Sequence, residues 1–364
     1  MLFFELLITI SQNFVFFIQM PSFSILIQNW YRQNQRDLPW RKSRDPYKIW
    51  ISEVILQQTR IEQGLSYYLK FTENFPQVTD LADAEEDHVL NLWQGLGYYS
   101  RARNMHAAAK LITDEFNGIF PTSYTDIRSL KGVGDYTAAA IASIAYNLPY
   151  AVVDGNVYRF LGRYLAISTP IDSGAGKKEF AEAAALLLDT NEPGTHNQAM
   201  MEIGALVCTP KNPNCPQCPV NESCMAYEKG NQLDFPVKAK KTKVRNRFIN
   251  YLVIHDGQQL IIKKRSKKGI WQGLYDFPEI EYESNEALKP EDLEKRGIAD
   301  LRYDGEFTHI LSHQKILAKF WLTSVKELKV NKGEQIIPLE NLEDFPMPQL
   351  LIRYLESSSF FKGD

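Results

Sequence analysis

Cys208, Cys215, Cys218 and Cys224 are the only cysteines in the chain, and they fall in one short stretch with the spacing C-x6-C-x2-C-x5-C. Four thiolates this close can wrap a compact metal centre, and their clustering is wrong for scattered disulfides. A cubane iron–sulfur cluster accepts loops of such unequal length. Zinc modules usually carry two close pairs, and here only Cys215 and Cys218 form one. A cluster is therefore the favoured reading, with zinc or no cofactor as the alternatives. A second chemistry is suggested by Leu130-Lys131-Gly132-Val133-Gly134-Asp135-Tyr136-Thr137. Gly132 and Gly134 allow a tight turn between helices, and the free N–H groups of the helix that follows are a seat for a phosphate. An ordinary interhelical turn is the plainer reading.

Two acids stand out from their surroundings. Glu53 sits in Trp50-Ile51-Ser52-Glu53-Val54-Ile55-Leu56-Gln57-Gln58-Thr59, with Ser52 a candidate cap and Gln58 falling on the apolar stripe of Val54 and Ile55. Local departures of this kind often mark a site. Asp154, in Ala151-Val152-Val153-Asp154-Gly155-Asn156-Val157-Tyr158-Arg159, stands between an apolar run and a glycine, ordinarily a turn or capping position.

The elements that must position these groups are mostly helical. From about Ser22 to Tyr227 the pattern is that of helices: Ile51, Val54, Ile55, Ile61, Leu65, Tyr68 and Leu69 recur at helical spacing, and 136–146 and 178–188 are rich in helix formers. Residues 231–247 begin loop-like and then carry Lys238, Lys240, Lys241, Lys243, Arg245 and Arg247, a basic linker. From Phe248 the pattern is strand-like. Phe248 to Ile254 precedes the turn Asp256-Gly257, and Gln259 to Lys263 pairs back as a hairpin. Ile316, Ala318, Phe320 and Leu322 alternate with their neighbours, and a short helix spans 349–356. The expected organisation is an apolar leader at 1–20, a helical domain at 21–230, a linker at 231–247 and an α+β domain at 248–364.

Composition agrees with two domains in 364 residues. With 44% hydrophobic and 23% charged residues the chain is neither disordered, nor collagen-like, nor a disulfide-dense scaffold. The net charge is −3 and only the linker is strongly basic, so a polyanion would be held by a local strip and by backbone amides. Residues 1–19 are apolar, but no basic residue precedes Arg32, and Glu5 and Ser11-Gln12-Asn13 interrupt the run. That is neither a signal peptide nor a membrane span, but a dispensable leader or translation begun upstream of Met20. Thiols without an export signal point to a reducing compartment.

Leu38-Pro39-Trp40-Arg41, Glu53 to Thr59, Gly95-Leu96-Gly97-Tyr98-Tyr99, the hairpin at 130–137, Val153 to Arg159 and the four cysteines occur in the order and approximate spacing of one family. From about residue 22 to its C-terminus the chain resembles the MutY-type adenine DNA glycosylases of the endonuclease III superfamily. The resemblance implies a multi-domain protein: an all-α helix-hairpin-helix DNA glycosylase core with a [4Fe-4S] cluster on the four cysteines, then an α+β Nudix-like domain. It implies a monomer with no membrane association, working in the bacterial cytoplasm at the nucleoid. Its substrate would be double-stranded DNA containing adenine opposite 8-oxoguanine or guanine, and the adenine must leave the stack to be reached.

On this resemblance Glu53 is the acid that protonates adenine N7, which needs a desolvated pocket to raise its pKa. Asp154 is the anion that stabilises the oxocarbenium-like sugar, and Asn156 helps hold that region. Arg41 and Gln198 match contacts to the flipped adenine. Gln58 and Tyr98 match wedges in the opened duplex, Thr59 and Leu96 match contacts near the lesion base, and Gly132 and Gly134 belong to the phosphate-binding hairpin. Tyr136 joins the catalytic set and stands where bifunctional relatives carry a Schiff-base lysine, which implies a monofunctional enzyme.

In the C-terminal half, Gly269 to Pro278 and Phe307 to His313 match the family's Nudix-like domain. Ser312 and His313 fall in its lesion-sensing loop, with Leu311 in place of a phenylalanine. Residues 279–297 lack the carboxylate cluster of a pyrophosphohydrolase, so this half reads as a recognition module. Two other readings stay open: a lesion-locating protein without catalysis, against which the two acids argue, and a nucleotide pyrophosphohydrolase. His313 as an ordinary histidine is the plain alternative at that position.

Overall fold

The computed structural model describes residues 23–239, 244–286, 288–294, 296, 298 and 300–362. The apolar leader at 1–20 and three lysines of the basic tract, Lys240, Lys241 and Lys243, lie outside the described residues. The helices in chain order are α1 (Phe23–Asn34), α2 (Pro46–Leu56), α3 (Ile61–Asn74), α4 (Val78–Asp83), α5 (Glu86–Leu92) and α6 (Ser100–Phe116). There follow α7 (Tyr124–Ser129), α8 (Asp135–Tyr146), α9 (Gly155–Tyr164), α10 (Gly174–Leu187), α11 (Pro193–Leu206) and α12 (Met225–Glu228). The remaining three, α13 (Pro290–Glu294), α14 (Gln349–Ser357) and α15 (Ser359–Lys362), accompany a sheet. No helix among the described residues is long and apolar enough to cross a membrane.

The chain forms two compact units, Met1–Gln57 with Ile119–Lys240, and Gln58–Gly118 with Lys241–Asp364. The second unit therefore groups α3–α6 with the C-terminal half, a grouping that follows space rather than sequence. The core of the first unit is built by α1, α9 and α11, through Phe23, Ile27, Phe160, Leu161, Met200 and Ile203 among others. Each such side chain fully withdrawn from water stabilises the fold by about 1.5–3 kcal/mol.

Local rules explain the helix that matters most. Asp45 caps α2 by accepting the Tyr47 N–H at 3.0 Å, and Pro46 starts it. Ser52, expected as a cap, lies instead in mid-helix, where its hydroxyl donates back to the Ile49 carbonyl at 2.7 Å. Helix α2 is buried at every position from Ile49 to Ile55 and packs on α8. It stops at Leu56, and Gln58 takes a left-handed φ of +61°. The apolar spacing that runs on to Leu69 hides this break, because the stripe of α3 happens to continue in phase. Gln58 is consequently no member of a buried stripe, and Leu69 is exposed.

In the second unit the strands are β1 (Arg245–His255), β2 (Gln259–Lys264), β3 (Tyr275–Asp276), β4 (Glu279–Tyr282), β5 (Arg302–Ile310), β6 (Gln314–Ser324) and β7 (Glu334–Pro338). The sheet order is β3-β2-β1-β6-β5, with β4 on β1 and β7 on β2. Strands β1 and β6 run parallel from Arg245↔Gln314 to His255↔Ser324, and the other pairings are antiparallel. The β1–β2 turn is set by Asp256, whose carboxylate accepts the N–H groups of Gln258 and Gln259. Ile316, Ala318, Phe320 and Leu322 are all buried, as period-two alternation requires, and Tyr354 of α14 stacks on Phe320 at 3.8 Å between ring centroids. Helix α5 is tied to the sheet by Asp87, which accepts from Lys264 at 2.7 Å and from the Tyr275 hydroxyl at 2.8 Å.

The described residues of the tract 231–247 make contacts of their own. Ala239 N–H donates to Asp172 at 3.0 Å, and 245–247 already belong to β1, where Arg247 makes a two-pronged pair with Glu281 at 2.7 and 2.6 Å. Part of its positive charge is thus engaged within the protein.

Candidate active site

Four helices of the first unit bring the candidate residues together. Glu53 projects from α2 and is only 9% exposed. Tyr136 lies in the first turn of α8, directly after the glycine hairpin, and its hydroxyl donates a short hydrogen bond to Glu53 Oε2. The hairpin is fixed by Arg128, which bonds the Asp135 carboxylate at 2.6 Å and the Val133 carbonyl at 2.9 Å. Gly132 has φ +83°, a conformation that disfavours any residue with a side chain, whereas Gly134 faces open space.

Asp154 is the N-cap of α9, so the plain reading of its position holds. Its Oδ1 accepts the Val157 N–H at 2.7 Å and its Oδ2 accepts the Asn156 amide at 2.8 Å. Asn156 is held in turn. Arg159 donates to its Oδ1 at 2.9 Å, and Gly204 of α11 packs so close that an added Cβ would lie 2.7 Å from the Asn156 Cβ.

Electrostatics separate the two acids. Burial pushes the Glu53 carboxyl up to about 7; the Tyr136 hydrogen bond and the Arg41 charge pull against this, and the Asp154 charge adds to it. The two carboxyls therefore lie near enough for their charges to couple. Asp154 is raised as well, because burial outweighs the bonds from Val157 and Asn156 and the charge of Arg159, all of which favour its anion. Burial and the two neighbouring acids hold the Tyr136 phenol far above its ordinary value, so it remains a donor.

Arg41 and Gln198 are present at this site, each with a partner that sequence reasoning missed. Arg41 grips Glu202 with two bonds, at 2.9 and 2.6 Å, and Arg36 grips the same carboxylate at 2.9 and 2.7 Å. Burial alone would raise Glu202, but these bonds outweigh it and hold it down at about 2. The Tyr31 hydroxyl donates to the Gln198 carbonyl oxygen, and the Arg41 guanidinium lies 5.4 Å from the Tyr31 ring centroid. Glu202 did leave a signal: it interrupts the apolar run Ala199-Met200-Met201-Glu202-Ile203, the same kind of violation that singled out Glu53.

The four cysteines are free thiols lining one small pocket, with Phe160, Arg163 and Val207. Among the described residues no three metal-ligating side chains converge on a point that could hold a single ion. The thiols frame a volume, and the cationic Arg163 reaches the Cys208 sulfur at 3.3 Å. Four thiolates around one volume are a donor set for a metal–sulfide core, and the Arg163 charge would balance the net negative charge of such an assembly. The loop is also tied to the acid site, because Arg159 bonds both Asn156 and the Cys208 carbonyl, the latter at 2.7 Å.

The remaining expected residues belong to the second unit. Gln58 is exposed, Thr59 is half-buried and Leu96 is buried. Tyr98 is exposed with φ +48°, on a loop held by bonds from Trp93 and Arg101 to the Gly97 carbonyl at 3.0 and 3.2 Å. Ser312 and His313 are exposed at the β5–β6 turn and bond each other at 3.2 Å.

Comparison with known proteins agrees with these features. Residues 51–185 match the family described as HhH-GPD superfamily base excision DNA repair protein, and residues 250–357 match the NUDIX domain. The chain is 35% identical over 341 residues to the adenine DNA glycosylase of Buchnera aphidicola subsp. Schizaphis graminum, covering 92% of this chain and 98% of that one. It is 33% identical over 360 residues to the adenine DNA glycosylase of Homo sapiens, covering 82% of this chain and 66% of that one. Among solved structures, a thermostable thymine-DNA glycosylase superposes with a TM-score of 0.53 at 28% identity, over 61% of this chain and 99% of that one. A helix-hairpin-helix core bearing paired buried acids, a Nudix-like sheet, and a relative matched over 98% of its length lead to one assignment: the chain belongs to the adenine DNA glycosylases of base excision repair.

Proposed function

We propose that this adenine DNA glycosylase hydrolyses the N-glycosidic bond of adenine mispaired with 8-oxoguanine or guanine, as a monofunctional monomer acting on double-stranded DNA in the bacterial cytoplasm. The observation that carries the reading is the pairing of a carboxyl raised to about 7, Glu53, with a neighbouring carboxyl whose bonds favour its anion, Asp154. Once the adenosine is flipped out of the stack, Glu53 gives its proton to adenine N7. Tyr136 occupies Oε2, which leaves Oε1 to carry that proton. The C1′–N9 electron pair then leaves with the neutral base. Asp154, held by Val157 and Asn156, meets the positive charge that develops on the sugar, and water adds at C1′, giving up its proton to the Glu53 carboxylate. Tyr136 is a phenol where a lyase would need a lysine, so strand cleavage through a Schiff base has no nucleophile at that position.

Arg41, positioned by Glu202, and Gln198, oriented by Tyr31, recognise the base. Gln58 and Tyr98 wedge the opened duplex, and Thr59 and Leu96 meet the lesion strand. In support, Gln58 and Tyr98 hold left-handed backbone conformations that cost about 1–3 kcal/mol each, a strain that collects at working sites. Gly132 and Gly134 seat a phosphate, and Ser312 and His313 read 8-oxoguanine, the Nudix-like half serving recognition. Cys208, Cys215, Cys218 and Cys224 would hold a [4Fe-4S] cluster. Its contribution there would be structural, pinning the loop whose Cys208 carbonyl supports Arg159 and hence Asn156.

The test is adenine release under single-turnover conditions from adenine:8-oxoguanine, adenine:guanine and adenine:thymine duplexes, repeated with borohydride. Release from the two mispairs only, without a trapped adduct, is expected. Equal release from adenine:thymine, or a strong adduct lost on replacing one lysine, overturns the proposal.

A further inference from the structure

The loop Gly95–Tyr98 is anchored at both ends to one buried residue of the C-terminal segment. Gln94 Oε1 accepts the N–H of Met347 at 3.0 Å, and the Tyr99 hydroxyl donates to the Met347 carbonyl at 3.4 Å. The Gln94 carbonyl accepts the Tyr67 hydroxyl at 2.6 Å. The Tyr67 hydroxyl oxygen in turn fills the space where a side chain on Gly95, at φ +99°, would have to go. The loop entrance therefore has little freedom to move without breaking these bonds.

Met347 is itself held firmly. It lies between Pro346 and Pro348, whose rings fix φ on either side, and the Pro346 carbonyl accepts the Tyr275 N–H of β3 at 2.8 Å. Helix α14 begins two residues after Met347. Arg353 on α14 donates to the Thr308 carbonyl and to His309 Nδ1, both at 3.2 Å. Those residues end β5, directly before the turn that carries Ser312 and His313.

We propose that Gln94 is a positioning residue that couples the lesion-reading turn to the duplex-wedging loop, through Met347 and Arg353, and so sets part of the preference for 8-oxoguanine over guanine. This rests on the reading of Tyr98, Ser312 and His313 given above. A base held at the β5–β6 turn restrains the end of β5. Arg353 passes that restraint to α14, and the stiff Pro-Met-Pro segment passes it to the two ends of the loop. Coupling of this kind needs packed, unyielding elements in unbroken contact, which this path supplies.

The experiment compares Gln94→Met, which keeps length but loses the acceptor, with Gln94→Glu, which keeps an acceptor, and with Arg353→Ala. Amide hydrogen exchange of the DNA-free protein is read at 95–99, and single-turnover adenine release is measured on 8-oxoguanine and guanine duplexes. Loss of one hydrogen bond predicts about five-fold faster exchange in Gln94→Met and a similar fall in the 8-oxoguanine:guanine rate ratio. Gln94→Glu should restore both. Arg353→Ala should lower the ratio, with no further loss when combined with Gln94→Met. Unchanged exchange in Gln94→Met overturns the anchoring. Equal slowing on both duplexes, or additive losses in the double variant, overturns the coupling. If the native protein shows no preference for 8-oxoguanine, the proposed substrate is what fails, and the exchange result alone judges whether Gln94 anchors the loop.

Discussion

Replacing Tyr136 by phenylalanine deletes one hydrogen-bond donor from the Glu53 carboxyl and little else. In the native protein that bond favours the carboxylate and works against burial, which has raised Glu53 to about 7. Hydrogen bonds to charged groups contribute about 1.5–3 kcal/mol, and one pKa unit corresponds to about 1.4 kcal/mol, so the substitution lifts the Glu53 pKa by about one to two units. Glu53 must be protonated to act, so activity falls as pH rises through its pKa. The alkaline limb of the rate profile therefore moves to higher pH by about one to two units. The plateau falls at the same time, because a weaker acid transfers its proton less readily. The assay is single-turnover adenine release from an adenine:8-oxoguanine duplex between about pH 5 and pH 10, with the limb taken as the reporter of Glu53. An alkaline limb that stays in place, or moves to lower pH, would refute the claim that the phenol restrains a buried catalytic acid.

Three further outcomes follow from the same geometry. Glu53→Gln abolishes adenine release yet stabilises the fold at alkaline pH: the folded pKa lies above the ordinary 4.5, so ionisation opposes folding from there upward, by about 3 kcal/mol at most above pH 7. Thermal denaturation should show a gain at about pH 8 and none near pH 4. Glu202→Gln strips the counter-charge from Arg36 and Arg41 and costs about 3–5 kcal/mol near pH 7 in a denaturant titration. Because the Glu202 pKa is depressed to about 2, the advantage of the native protein is complete above the ordinary 4.5 and fades as pH falls through that interval. Gly204→Ala drives a Cβ to 2.7 Å from the Asn156 Cβ and 2.9 Å from its carbonyl oxygen, which costs about 1–3 kcal/mol by thermal melting and slows adenine release by displacing Asn156 from Asp154.

Much of the site was legible because chemistry leaves local traces. An acid inside an apolar run, an acid before a glycine and two glycines before a helix former are patterns a linear reading detects, and Glu53, Asp154 and Tyr136 do meet in the folded unit. Strand β6 and the β1–β2 hairpin were legible for the same reason, since one buried face enforces alternation. Other features were not. The end of α2 was masked because periodicity reports which face is buried and is blind to a break that preserves phase. Ser52 has the residue type of a cap, but Asp45, next to Pro46, has the position.

Helical and strand periodicity, the acids set among apolar residues and the clustering of four thiols are all written locally in the chain. Which side chains meet is settled by packing. It put a phenol on one oxygen of Glu53, locked Arg41 and Arg36 onto Glu202, and tied both ends of the Tyr98 loop to Met347. It also grouped α3–α6 with the C-terminal sheet rather than with the helices that flank them in the chain. The physical reason is range. Propensity and periodicity act over a few residues, whereas pKa values, ion pairs and loop anchors depend on contacts between segments far apart in sequence, and these exist only once the helices have packed.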